Sequence, residues 1–223
     1  MKKIKIAVLG KNGQLAKKLT QNLTNTKFLL KNISSKEINF NQKNINFKKI
    51  LKFKPHIIIN CFAYTEVDKS EINKRECNMV NNLSLLSLSK ICKENDILLI
   101  HFSTDYIFNS KTKKLIDEKQ KYAPVNFYGY SKSQGEKKII KSKCKYLILR
   151  IGWTYSEFGK NFLKTVIYCL NRGKKLHIIN DQYGCPTSLK MVTDFVEYFI
   201  LNYDLKAFKS DIEPLCKWVH IMV

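Results

Sequence analysis

The sequence predicts an α/β protein built on a doubly wound, all-parallel sheet. Two observations carry that expectation. Short apolar runs alternate with longer polar stretches of helical character from the first residues onward. Each cluster of chemically suggestive side chains also falls just past the carboxyl end of one of those runs, which is where open parallel sheets bind ligands. A chain of 223 residues with 44% hydrophobic content is long enough to bury one full core.

Taken in order, Ile4–Leu9 reads as the first strand and Gly13–Leu23 as the helix that follows. Phe28–Leu30 is a short strand, and Ile45–Phe53 a helix that ends ahead of Pro55. His56–Asn60 is a strand and Cys77–Asn95 a long helix. Ile97–Phe102 is a strand, Ser131–Lys141 a helix and Tyr146–Arg150 another strand. The polar, lysine-rich segment Lys111–Tyr122 reads as a surface loop. This succession is Rossmann-like. Residues 1–150 would form the main domain, and residues 151–223 a smaller lobe interleaved with it.

Composition removes several function classes. The opening MKKIKIAVLG has too short an apolar run for a signal peptide and closes on a glycine turn, so it reads as a strand. No stretch approaches the ~18 apolar residues of a membrane span, and a cytoplasmic location is expected. Seven cysteines are scattered and never form C-x-x-C, so reduced, mostly buried thiols are expected, with no disulfide framework and no metal. The formal charge of +22 raises nucleic acid as a partner. Against it, only Arg75, Arg150 and Arg172 among 40 basic residues carry the forked guanidinium that phosphate and base recognition favours. The lysines are spread along the whole chain, so nucleic acid is not expected as the main partner.

The first strand runs into Gly10-Lys11-Asn12-Gly13-Gln14-Leu15-Ala16. Glycine there permits a tight turn and close approach of the backbone to a pyrophosphate, and the helix beyond presents free N–H groups. Ala16 stands where a third glycine often lies, and a small residue suffices for helix–strand packing. A dinucleotide site is therefore expected at Gly10–Leu15. The second strand leads into Lys31-Asn32-Ile33-Ser34-Ser35-Lys36, with no acid before Glu37 to take a ribose 2′-hydroxyl. NADPH is expected to serve at least as well as NADH.

Tyr128-Gly129-Tyr130-Ser131-Lys132 is a Y-x-x-x-K run. On a helix, side chains four apart share a face, so phenol and ammonium can converge on one ligand. A free phenol is a weak acid at neutral pH, and a neighbouring ammonium, together with an oxidised nicotinamide, is expected to lower its pKa. By itself the pair is equally compatible with a chance Tyr and Lys on a solvated face. Ser103-Thr104-Asp105-Tyr106 closes the fourth strand with hydroxyls that could polarise a carbonyl. Asn60-Cys61-Phe62-Ala63-Tyr64-Thr65 closes the third. Three strand ends and the tyrosine helix thus converge on one place.

The stretches GKNGQL, NCFAYTEVDKSE, HFSTDYIF, PVNFYGYSKSQGEK, LRIGWTYSEFGKNF and INDQYGCPT resemble the dTDP-4-dehydrorhamnose reductase family, extended short-chain dehydrogenase/reductases of nucleotide-sugar metabolism. The resemblance covers Met1 to about Ile200. It implies that Tyr128 donates a proton to a keto oxygen, that Lys132 tunes Tyr128 and holds the nicotinamide ribose, and that Thr104 polarises the carbonyl. It assigns Gly10, Lys11 and Asn12 to the phosphate turn, Ala63, Tyr64 and Thr65 to the cofactor edge, and Asn39-Phe40 to the flank of the adenine. Thr104, Asp105 and Trp153 fall at substrate-side positions, with Asp105 equally readable as a turn residue and Trp153 as core. The implied substrate is a nucleotide-sugar.

Two departures qualify the resemblance. Family members generally extend several dozen residues further, so the substrate lobe is expected to be incomplete, with Trp218–Val223 opening a strand that ordinarily continues. Lys190 stands where members can carry a metal-ligating glutamate between subunits, so a homodimer, if formed, is not expected to be metal-bridged. Three readings stay open: an active reductase, a non-catalytic NADP-binding or regulatory homologue, and a basic nucleic-acid-binding protein. Another nucleotide-sugar epimerase or dehydratase would share the first motifs.

Overall fold

The computed structural model describes residues 3–109, 116, 119–178 and 184–202, together with the backbone of 218–221. Six parallel strands form one sheet in the order β2-β1-β3-β4-β5-β8. They are β1 (Ile4–Leu9), β2 (Phe28–Ile33), β3 (Ile57–Asn60), β4 (Leu98–Thr104), β5 (Tyr146–Ile151) and β8 (Trp218–Ile221). The chain steps outward from β1 to β2, then returns across β1 to β3, so the direction of winding reverses between β1 and β3. Ligands of doubly wound sheets sit at that reversal. The expected Rossmann-like α/β fold is present.

Apolar residues on both faces of the strands explain why the sheet is covered on both sides. Ile6, Val8, Ile57, Ile59, Ile100 and Leu149 face a layer that includes helices α1 (Gln14–Asn22) and α8 (Leu189–Asn202). Ala7, Leu9, Ile58, Leu99 and Ile148 face α5 (Ser84–Glu94) and α6 (Phe127–Ser142). The short helix α2 (Lys48–Leu51) closes the second layer through Ile50. Beyond β5, a two-stranded parallel ribbon joins β6 (Thr154–Tyr155) to β7 (Thr187–Ser188), and α7 (Phe162–Leu170) lies between them in sequence.

Several boundaries differ from the sequence reading, each for a local reason. Helix α6 begins at Phe127 rather than Ser131, because the Asn126 side chain accepts from the Gly129 N–H and caps the first turn. The long helix after β3 starts earlier and is interrupted. Short helices α3 (Val67–Ser70) and α4 (Lys74–Asn78) lead into a π turn at Met79–Leu83 before α5. The helix expected at Ile45–Phe53 shrinks to Lys48–Leu51, and β2 runs on to Ile33 through its pairing with β1. Strand β4 includes Ser103 and Thr104, which pair in register with Arg150 and Ile151 of β5. Of the six described cysteines, Cys77, Cys92 and Cys144 are buried, whereas Cys61, Cys169 and Cys185 are partly exposed. Most of the expected loop Lys111–Tyr122 lies outside the described residues.

Helix α6 sits unusually deep. A side chain on Gly129 would collide with the Tyr106 carbonyl, and one on Gly135 with the Asn81 carbonyl and Leu85. Its second half is tied to β5 by a buried ion pair, Arg150 Nη2 to Glu136 Oε2 at 2.9 Å, with Arg150 Nε donating to Glu136 Oε1 at 3.2 Å. Tyr122 donates to the same carboxylate at 2.8 Å, so the buried charges are both paired and hydrogen-bonded. Gly135→Ala is expected to lose about 1–3 kcal/mol, the usual cost of forcing volume into a packed core. Urea unfolding should show a lower midpoint at unchanged slope.

Candidate active site

Gly10 follows β1 with φ +86°, a conformation that favours glycine, and a Cβ there would press on the Cys61 carbonyl group at 3.0 Å. The turn is fastened by Gly10 N and Lys11 N donating to Ile33 O, and by Gly13 N donating to Gly10 O. Gly13 caps α1 with extended backbone and no side-chain bond, so among the described residues no side chain caps the first N–H groups of the helix. Lys11, Asn12 and Gly13 are exposed at the rim, and Gln14 and Leu15 are half-buried. Gln14 donates to Thr154 Oγ1 at 3.0 Å, linking the turn to β6. Lys11 and Asn12, with Lys17, Thr20, Gln21, Asn32 and Phe158, line a shallow cleft of about 440 Å³. A glycine cradle, an uncapped helix start and nearby lysines fit the pyrophosphate of a dinucleotide.

Thr104 ends β4, and its hydroxyl donates to Asp105 Oδ1 at 3.0 Å and accepts from Tyr106 N. Tyr128 and Lys132 lie one turn apart on the buried face of α6, with Tyr128 edge-on to Tyr106 at 5.7 Å. The structure therefore brings Thr104, Tyr128 and Lys132 together. Burial pushes the Tyr128 hydroxyl well above its ordinary pKa, and a hydrogen bond with Thr104 opposes this without offsetting it. The Lys132 amine is directed elsewhere, donating to Phe102 O at 2.6 Å and lying 3.4 Å from His101 Nε2. Spacing along a helix put the two side chains on one face, but the strand beneath them claimed the ammonium. Burial lowers Lys132 itself to about 8.

At the third strand end, Ala63 and Tyr64 are half-buried and Thr65 is exposed. Asn39 is exposed and accepts from Asn41 N, whereas Phe40 is buried against Phe47 and Phe62. The Glu37 carboxylate is fully engaged: Ser34 N and Oγ donate to Oε2 at 2.9 and 3.0 Å, and Lys49 pairs with Oε1 at 2.8 Å. Past the ends of β4 and β5, Gly152 leaves room for the Asp105 carboxylate and Gly184 for the Trp153 indole, since a Cβ on either would collide. Trp153 is half-buried, with φ +44°, edge-on to Phe162 at 5.8 Å. Ile179–Tyr183 of the INDQYGCPT stretch lie outside the described residues. Lys190 pairs with Asp194 at 2.6 Å on the exposed face of α8.

Two buried polar residues were missed in the sequence. Asn81, in the π turn, accepts from Tyr64 N at 2.9 Å and donates to Tyr64 O and to Ser131 Oγ. It thereby joins the third strand end to α6. His101 lies inside β4, with Nδ1 against Asn60 Nδ2 at 3.1 Å. A lone histidine in the apolar run LLIHF and an asparagine pair inside a helical run were the available signals. Ser103 Oγ is buried with no hydrogen-bond partner among the described residues.

A glycine turn at the winding reversal, with a tyrosine and a lysine from α6 beside the end of β4, defines a Rossmann-like protein of the short-chain dehydrogenase class. The chain belongs to the family described as the RmlD substrate binding domain, whose model matches residues 4–211. It is 32% identical to dTDP-4-dehydrorhamnose reductase of Salmonella typhimurium over 87% of this chain and 66% of that protein. Among solved structures, dTDP-4-dehydrorhamnose reductase from Bacillus anthracis in complex with NADP superposes with a TM-score of 0.88, at 27% identity, over 100% of this chain and 75% of that one. WbmG of Bordetella bronchiseptica, solved with NAD, shares the fold with a TM-score of 0.73 at 15% identity, over 99% of this chain and 73% of that one. The chain spans roughly half to three quarters of the length of the curated relatives it matches.

Asn81→Ala removes the acceptor of Tyr64 N and the donor to Ser131, and is expected to cost about 1–3 kcal/mol. Amide hydrogen exchange at Tyr64 should accelerate, while the α1 amides keep their protection.

Proposed function

We propose that this protein is an NADPH-dependent reductase of the 4-keto group of dTDP-4-dehydro-6-deoxy-L-mannose, forming dTDP-L-rhamnose for cell-surface polysaccharide in the cytoplasm. The observation that carries the reading is the convergence of Thr104, Tyr128 and Lys132 beside the glycine turn, a set that a binding module does not need. NADPH, when bound, supplies the hydride. Gly10, Lys11, Asn12 and Gly13, with the start of α1 at Gln14 and Leu15, hold its phosphates. Ala63, Tyr64 and Thr65 border the cofactor, and Asn39 and Phe40 border its adenine. Thr104 orients and polarises the sugar carbonyl, and Tyr128 delivers the proton to its oxygen. The high proton affinity of buried Tyr128 keeps the phenol protonated and ready to donate. Asp105 and Trp153 shape the sugar side.

The committed carboxylate of Glu37 favours NADPH. With both oxygens held by Ser34 and Lys49, it is not available to a ribose 2′-hydroxyl. Lys11 and Lys17 meanwhile line the cleft beside the phosphate turn. A 2′-phosphate would meet lysines there rather than an acid. The engagement of Lys132 by Phe102 O and His101 favours a second reading, a homologue that binds NADP without turnover.

Purified protein with NADPH and the keto-sugar is expected to lose nicotinamide absorbance. Tyr128→Phe should lower kcat by about 10²–10⁴-fold, the usual contribution of a general acid, while the Kd for NADPH stays the same. NADPH binding without turnover in the unaltered protein would establish the second reading instead. In competition assays kcat/KM for NADPH should equal or exceed that for NADH; a clear preference for NADH overturns the cofactor assignment.

A further inference from the structure

We propose that His101 is a positioning residue that sets the protonation of Lys132, through a ring tautomer fixed by Asn60. The inference rests on the reductase reading only for what Lys132 does in turnover; the tautomer and the titration of the lysine stand apart from it.

The chain of hydrogen bonds begins at the backbone. Phe62 N donates to Asn60 Oδ1 at 3.1 Å, which settles which end of the amide faces which way. The Asn60 nitrogen therefore faces His101 Nδ1 at 3.1 Å, and an amide nitrogen can only donate. His101 Nδ1 is thus the acceptor. Burial, with the Lys132 charge second, holds the ring far below its ordinary pKa, so His101 is neutral and carries one proton. That proton is on Nε2, the nitrogen 3.4 Å from Lys132 Nζ.

An N–H pointed at Lys132 favours one form of the lysine over the other. An ammonium would set donor against donor, whereas an amine offers a lone pair to Nε2–H and still donates to Phe102 O at 2.6 Å. The other groups that face Lys132 do not reverse this. Cys61, just past β3, and Cys77, on α4, are thiols whose pKa burial raises. Glu136 on α6 favours the ammonium, yet its carboxylate is held by Arg150. Tyr128, one turn back on α6, stays a neutral phenol. Burial lowers Lys132 to about 8 and the His101 N–H favours the same neutral form, so the amine can exchange a proton during turnover instead of remaining a permanent cation.

The test reads the His101 ring and the Lys132 amine directly in the protein without cofactor. Nitrogen NMR of labelled protein is expected to show His101 as the Nε2–H tautomer, unchanged between about pH 6 and pH 9. The Lys132 Cε resonance should titrate near pH 8. In His101→Gln the amide oxygen can turn toward Lys132, and the midpoint should rise by about one pH unit, a tenfold tighter hold on the proton. An Nδ1–H tautomer in the unaltered protein, or an unmoved Lys132 midpoint in the variant, overturns the inference. If His101→Gln does not fold, the tautomer in the unaltered protein decides alone. Absence of sugar reduction alongside the expected spectra would count against the reductase reading and leave the role of His101 standing.

Discussion

The deep seat of α6 against the end of β4 is the constraint on which the site depends. Gly129 lets the helix lie on the Tyr106 carbonyl, and Gly135 lets it lie on the Asn81 carbonyl. With larger residues the helix would stand off, and Tyr128 and Lys132 would leave the strand end that carries Thr104. The buried pair of Arg150 and Glu136 anchors the same helix further along, so the seat is held at both ends. Glu136 is thus a structural member of the YGYSKSQGE run.

That closeness has an electrostatic consequence. A buried amine loses hydration and must find its partners in the protein. Lys132 finds them on β4, at Phe102 O and beside His101, rather than on its own helix. Burial raises the proton affinity of the Tyr128 phenol and lowers that of the Lys132 amine, since in each case it disfavours the charged form. The sheet, not the helical spacing alone, therefore governs the acid–base character of the pair. Asn81 plays the corresponding part for the backbone by joining Tyr64 to Ser131 through a single amide.

Much of the fold was legible because strand and helix periodicities are local. The runs at Ile4–Leu9, His56–Asn60 and Tyr146–Arg150 announce buried parallel strands, and Gly10 announces a turn that a side chain would strain. Other features were illegible because they arise from contacts distant in sequence. The π turn at Met79–Leu83 lies where α6 packs closely, and the early start of α6 depends on the Asn126 cap. Glu37 read as an acid placed too late for a ribose; only its bonds to Ser34 and Lys49 show that its oxygens are already committed.

By itself, the sequence determined the alternation of strands and helices, the glycine turn after β1 and the residue types at each strand end. These follow from local patterning and from backbone conformations that few residues tolerate. Only the tertiary structure decided that Asn60, His101 and Lys132 form one hydrogen-bonded line, and that burial raises the proton affinity of Tyr128. The reason is physical: proton affinity depends on burial and on neighbours brought in from other strands, and no spacing along the chain encodes either. The tyrosine–lysine run named the candidate chemistry, and the strand beneath it set the terms on which that chemistry operates.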